Sequence, residues 1–341
     1  MSAQELDLET LDPWLRDKVP SFDGELSAEK FAGGQSNPTF KLTAGAHHYV
    51  LRRKPPGELL ASAHAVDREF RVLDALATTD VPVPKVVALC EDESVIGSMF
   101  YVMEHLEGRI FWDPTVPEVS DADRAAIYDE MNRVLAALHS VDVDAVGLSD
   151  YGKPGNYYAR QIGRWTKQYR ASETEPVAEM EALISWLPNN IPEGEETVAL
   201  VHGDYRLDNM IFHPTEPKII GILDWELSTL GDPLADLAYQ LMAWQFPRQG
   251  GIVGLEGVER GPLMIPADEA YIETYCQRTG RTGIDHWPFY MAFCFFRIAA
   301  ILQGIKKRAL IGTASSAEAD SRAVMVGPLA ALGAGYINQD G

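Results

Sequence analysis

Apolar residues recur along this chain at two periods, and the switches between them mark its elements. Leu8, Leu11 and Leu15 share one face at helical spacing, so the residues up to about Val19 read as a short amphipathic helix. From Phe31 to Leu106 the order is strand, turn, strand, helix, strand. GGQSNPTF (Gly33 to Phe40) is a turn between two strands, and HHYVLRR (His47 to Arg53) is a β-rich run. AVDREFRVLDAL (Ala65 to Leu76) carries Val66, Phe70, Leu73 and Leu76 at helical spacing, and MFYVMEHLEG (Met99 to Gly108) is a strand running into a linker. Ser120 with Asp123 three residues on makes a capping box. The helix behind it shows an apolar face at Ile127, Met131, Val134, Leu135 and Leu138 and ends near His139. VALVH (Val198 to His202) is a short buried strand, and MIFH (Met210 to His213) with IIGIL (Ile219 to Leu223) is a hairpin. Gly231-Asp232-Pro233 breaks the chain before another helix, with Pro233 near its first turn. The remainder is mostly helical. The longest apolar stretch, Phe289 to Leu302, is short and holds Arg297, so it reads as a buried core helix and not as a membrane span.

Composition narrows the classes. The 341 residues suffice for two lobes with a sizeable core, and 46% hydrophobic with 23% charged residues describes an ordinary soluble globular protein. The net charge of −21 argues against non-specific nucleic-acid binding, which needs clustered Lys and Arg. Cys90, Cys276 and Cys294 lie far apart, without a Cys-x-x-Cys pair, so neither a zinc site nor a disulfide framework is indicated and a cytoplasmic setting is expected. The acidic N-terminus MSAQELDLETLD lacks an apolar h-region, so no secretory signal is expected.

The chemistry concentrates in HGDYRLDN, His202 to Asn209, and in ILDWE, which starts at Ile222. Together they place an Asp, an Asn five residues later and a second Asp fifteen residues after that. Phosphoryl transfer with Mg²⁺ needs such a set: one carboxylate for the attacking hydroxyl, and an amide oxygen and a second carboxylate for the metal on the nucleotide phosphates. Asp224 follows directly on the predicted hairpin. Upstream, Gly33, Gly34, Ser36 and Asn37 sit in a turn whose glycines permit close backbone approach to ATP phosphates. The same residues are also good hairpin chemistry.

HGDYRLDN and ILDWE together resemble the aminoglycoside phosphotransferase family, within the protein-kinase-like superfamily. The resemblance implies an α+β, two-lobed protein-kinase-like fold, with a β-rich N-lobe over residues 1–105 and a mainly helical C-lobe over 106–341. It implies that Asp204 is the catalytic base and that Asn209 and Asp224 are Mg²⁺ ligands. Aligning Tyr49-Val50-Leu51-Arg52 with the kinase V-A-I-K pattern makes Arg52 the phosphate-binding cation, where Lys is usual. Arg53 and Lys54 leave that register open by one residue. The family expects a carboxylate partner for this cation on the next helix, where Glu69 stands. Glu104-His105-Leu106 takes the place of the hinge, whose Glu104 carbonyl and Leu106 amide would face the adenine. Asp236 would bond back toward the catalytic loop, Asp232 would cap its helix, and His202 would bond backbone near Asp224.

GKPGNYYARQIGRWTKQY (Gly152 to Tyr169) and the block from Asp285 to Ser316 look like the kinase-like domain fused to some acyl-CoA dehydrogenases and like its free-standing bacterial relatives. That subfamily implies a small-molecule acceptor, a hydroxy acid or hydroxyacyl-CoA. From His286 through Ala317 there is no Asp or Glu, while Arg297 and Arg308 fall on nearly the same helix face. They are either anion-binding residues for the acceptor or complements to a helix end and distant acids. The rivals to this reading are a kinase for an amino alcohol or aminoglycoside and a non-catalytic nucleotide-binding protein of the same fold.

Overall fold

The computed structural model describes residues 6–19, 22–31, 37–55, 65–153, 155–193, 197–248, 253–311 and 322–337. The first unit is a five-stranded antiparallel sheet with two helices. Helix α1 (Leu8–Lys18) is capped by Asp7, which accepts from the Glu9 and Thr10 amides, and it buries Leu11 and Leu15. Strands β1 (Leu26–Lys30), β2 (Thr39–Ala44) and β3 (His47–Arg53) follow, then α2 (Val66–Leu76), β4 (Val86–Cys90) and β5 (Phe100–Glu104). The spatial order is β1-β2-β3-β5-β4. Leu11, Leu15, Phe40, Leu42, Leu51, Phe100 and Val102 form one core on the α1 side of the sheet. Val50, Tyr101 and Met103 point the other way, toward α2 and the second unit, as the two-residue period of a strand requires. The predicted turn, Gly33 to Phe40, takes in only the first two residues of β2, and β4 was not foreseen.

The second unit is helical apart from two small strand pairs. Helix α3 (Asp121–His139) starts at the Ser120 cap, whose Oγ accepts from the Asp123 amide at 3.2 Å. Helices α4 (Tyr157–Ser172) and α5 (Ala178–Trp186) lead to β6 (Ala199–Val201), β7 (Met210–Phe212), β8 (Ile219–Ile222) and β9 (Thr229–Gly231). Strands β6 and β9 pair antiparallel, as do β7 and β8. Then come α6 (Leu234–Trp244), α7 (Asp268–Thr279), α8 (Trp287–Leu310) and α9 (Val326–Ile337). Helix α8 is long and apolar enough to cross a membrane. Its run from Phe289 to Ala300 is nevertheless buried against α4, α6 and α9, so it is the core helix of this lobe.

Two glycines let β9 approach α4 and the loop before it. A Cβ on Gly231 would lie 2.5 Å from the Tyr157 ring, and one on Gly152 would lie 2.6 Å from the Leu230 amide nitrogen. Gly231→Ala is therefore expected to destabilise by about 1–3 kcal/mol, the usual cost of overpacking a filled core. Urea unfolding measures it, and an unchanged midpoint would show that the Tyr157 ring moves aside freely.

Candidate active site

The catalytic-loop candidate begins where β6 ends. Asp236, in the first turn of α6, is buried and accepts from the backbone amides of His202 at 2.6 Å and Gly203 at 2.8 Å. Burial alone would raise its pKa, but hydrogen bonds from His139 and these amides hold it below the usual carboxylate range. His202 Nε2 lies 2.8 Å from the Leu223 carbonyl, and its Nδ1 accepts from the Asp204 amide at 3.1 Å. A carbonyl only accepts, so the proton is assigned to Nε2. The imidazole thus ties the loop to the residue before Asp224.

Asp204 emerges from this support with its carboxylate toward Asn209, whose Nδ2 donates to Asp204 O at 2.8 Å and Oδ2 at 2.9 Å. Burial pushes the Asp204 pKa up. The charge of Arg206, with contributions from the Tyr239 hydroxyl, His202 and Asn209, outweighs it and leaves the group below its ordinary value. Asp204 is therefore ionised at neutral pH and can receive a hydroxyl proton. With its nitrogen spent on Asp204, Asn209 presents Oδ1 as the remaining acceptor.

Asp224 sits at the end of the β7–β8 hairpin with φ 66° and ψ 58°, a left-handed conformation uncommon for a residue with a Cβ. Such outliers mark places where the surroundings fix the backbone. Here Leu223 N bonds Asn209 O at 2.8 Å, and Arg52 Nη2 reaches Asp224 Oδ1 at 2.7 Å. The opposite side of the same guanidinium places Nε 2.7 Å from Glu69 Oε2, without hydrogen-bond alignment. Glu69 is buried and receives two donors, Asn37 Nδ2 at 2.7 Å and the Tyr101 hydroxyl at 3.2 Å. Burial would lower the Arg52 pKa, but the Glu69 and Asp224 carboxylates hold it well above its ordinary value, so this cation is permanently charged. Replacing Glu69 with Gln is expected to lower stability by about 1.5–3 kcal/mol, the worth of a bond to a charged group. A solvated helix glutamate would give no change in the urea midpoint.

Asp204, Asn209, Asp224, Arg52 and Glu69 lie along one connected set of contacts across the two units. Arg52, not its neighbours, points into it; Arg53 lies opposite Phe100 and its Nε donates to the Lys54 carbonyl. Gly33, Gly34 and Ser36 lie outside the described residues. Asn37, read as a phosphate contact, is buried here and supports Glu69. The hinge is pressed against the second unit: a Cβ on Gly221 would come 2.3 Å from Leu106 Cδ1. Glu104 exchanges two bonds with Lys85, and no backbone hydrogen bond from the Leu106 amide is found among the described residues. Asp232 accepts from the Leu234 amide at 2.8 Å, at the start of α6.

The pairing of Arg297 with Arg308 as acceptor contacts is corrected. Arg297 is 3% exposed, and its Nη2 donates to the Gly203 carbonyl beneath the catalytic loop. Arg308 is exposed three turns further along α8. Helical periodicity placed both on one face but could not show that the lobe covers one end of it. Tyr101, Arg206 and Tyr239 were missed; Tyr239 stands three residues after Asp236, one helical turn, which is the signal that could have found it.

Among the described residues no group of three His, Cys, Asp or Glu side chains forms a metal cage. Asp224 and Asn209 Oδ1 are two oxygen donors from adjoining loops. That set suits Mg²⁺, which keeps several waters and takes one or two carboxylates together with substrate phosphates.

Three comparisons bear on this arrangement. The family described as the phosphotransferase enzyme family, APH, matches residues 27–293. Acyl-CoA dehydrogenase family member 10 of Mus musculus is 49% identical over 319 residues, which is 93% of this chain; the chain spans only 30% of that relative's length. A crystal structure of a presumed aminoglycoside phosphotransferase from Ralstonia eutropha JMP134 is 52% identical, with a TM-score of 0.89 over 98% of this chain and 99% of the other. A thermostable mutant of aminoglycoside phosphotransferase APH(4)-Ia, in ternary complex with AMP-PNP and hygromycin B, shares the fold at TM-score 0.61 and 15% identity, over 96% of this chain and 98% of the other.

Proposed function

The chain belongs to the phosphotransferase enzyme family, and from that premise we propose that it moves the γ-phosphoryl group of ATP, with Mg²⁺, onto a hydroxyl of a small molecule. The observation that carries this reading is the single connected set Glu69–Arg52–Asp224, with Arg52 2.7 Å from each carboxylate, set beside Asp204 and Asn209. Asp204 orients the acceptor hydroxyl and takes its proton as the oxygen–phosphorus bond forms. The bond from the γ-phosphorus to the bridging oxygen breaks, and ADP leaves. Arg52, held in place by Glu69, engages the nucleotide phosphates. Asn209 and Asp224 hold Mg²⁺, which when bound neutralises charge on the phosphates. Little covalent work falls to the protein, so catalysis is positioning and electrostatic stabilisation.

The acceptor in this reading is a hydroxy acid or a hydroxyacyl-CoA. Its support is the likeness to acyl-CoA dehydrogenase family member 10. The test is turnover of ATP with parallel panels of hydroxyacyl-CoAs, free hydroxy acids, amino alcohols and aminoglycosides, with the phosphorylated product identified by mass spectrometry. Higher kcat/KM for the anionic acceptors supports the assignment. Preference for amino alcohols or aminoglycosides would overturn it while leaving the kinase reading in place.

A further inference from the structure

Arg297 is a buried cation that no carboxylate neutralises at ion-pair distance among the described residues. Taking a guanidinium out of water is costly unless its surroundings compensate. Three features do so here. Its Nη2 donates to the Gly203 carbonyl. Its Cζ lies 5.1 Å from the Tyr239 ring centroid and 5.6 Å from that of Trp165, distances at which a cation is attracted to an aromatic face. Its Nε has no hydrogen-bond partner among the described residues, and the Tyr157 hydroxyl and the Asp204 carboxylate also act on its charge. The two rings and the cation come from three separate elements: Trp165 from α4, Tyr239 from α6 and Arg297 from α8.

All three converge on the backbone that carries Asp204. Gly203 is in the left-handed region at φ +84°, and a Cβ there would meet the Leu227 carbonyl oxygen at 2.8 Å, so the turn is tightly confined. The Gly203 carbonyl belongs to the peptide that links it to Asp204. Tyr239 acts at a second point: its hydroxyl interacts with the Asp204 carboxylate. Tyr239 therefore faces the cation with its ring and acts on the Asp204 carboxylate through its hydroxyl.

We propose that Arg297, set against the Trp165 and Tyr239 rings, is the positioning residue for the catalytic loop, and that Tyr239 passes this constraint to the Asp204 carboxylate. The inference rests on the kinase reading for its effect on turnover, but its structural half does not. Through Gly203, Arg297 fixes where Asp204 stands, and through its hydroxyl Tyr239 fixes how the carboxylate is turned. Neither residue is expected to touch the acceptor.

The test uses the full chain with Tyr239→Phe, Arg297→Lys and Arg297→Ala. Tyr239→Phe keeps the ring and the fold and is expected to lower kcat up to about tenfold, the worth of one hydrogen bond, with both KM values unchanged. Arg297→Ala is expected to lower kcat further at unchanged acceptor KM, with added guanidinium restoring part of the loss and Arg297→Lys lying between. A wild-type kcat in Tyr239→Phe, or an acceptor KM that rises while kcat holds in an Arg297 variant, would overturn the proposal. Amide hydrogen exchange at His202 to Asp204 separates this proposal from the kinase reading, because it needs no turnover. It is expected to quicken several-fold in Arg297→Lys while amides in α3 stay protected. Unchanged exchange at those three amides would overturn the positioning role, and it serves equally if Arg297→Ala does not fold.

Discussion

Asp204→Asn is expected to cut phosphoryl transfer by about 10²–10⁴-fold, the range for losing a positioned general base. The reasoning starts from how the loop is built. Asp236 holds the His202 and Gly203 amides, His202 ties the loop to Leu223, and Asn209 bonds the Asp204 carbonyl. These contacts do not use the Asp204 carboxylate, and an amide oxygen at the Oδ2 position can still accept from Asn209 Nδ2, so an isosteric amide leaves the loop in place. What the amide cannot do is take a proton or hold the charge that Arg206 favours. Thermal unfolding and nucleotide affinity should therefore stay close to wild type while kcat falls. Steady-state kinetics beside a melting curve decides it. A wild-type kcat would remove Asp204 from the chemistry, and a collapsed melting temperature would make the residue structural.

The second large effect is expected at the metal end. Asp224→Ala should weaken Mg-dependent nucleotide binding by roughly 100-fold or more, since a bridging metal is worth several kcal/mol. Two losses combine in this variant. One oxygen ligand disappears, and Arg52 loses the partner 2.7 Å from its Nη2, keeping Glu69 at 2.7 Å and Glu226 at 3.8 Å. Titration calorimetry with and without Mg²⁺ separates these. In wild type the affinity should depend on the metal; in Asp224→Ala it should not. An affinity that is metal-independent in both proteins would contradict the assignment of Asp224 and Asn209 as ligands.

Local patterns carried most of the architecture, and long-range contacts carried what they missed. The hairpin before Asp224 is legible because MIFH and IIGIL are short apolar runs around a polar turn. The α3 cap is legible because Ser120 and Asp123 need only each other. Strand β4 was missed because its apolar run VVALC follows the prolines at 82 and 84 and has no polar alternation to declare a sheet. The left-handed backbone of Asp224 has no sequence signal, because glycine is the residue that normally announces it. The Arg52–Asp224 contact spans 172 positions and the Arg297–Gly203 contact 94. Only the motif resemblance brought the first pair into consideration, and nothing in the chain's periodicity hinted at the second. Arg297 looked like a binding residue because a cation in an apolar helix demands an explanation. Inside the lobe it meets a backbone carbonyl and two rings.

The most direct test of the central claim follows labelled phosphate. With γ-labelled ATP, Mg²⁺ and the hydroxylated acceptor panel, label is expected in an acceptor phosphate ester formed by the wild-type chain, to be lost when Mg²⁺ is chelated, and to fall at least about 100-fold in Asp204→Asn. Nucleotide that binds in the presence of Mg²⁺ but never delivers label to any acceptor, or label transfer that Asp204→Asn leaves untouched, would contradict the account.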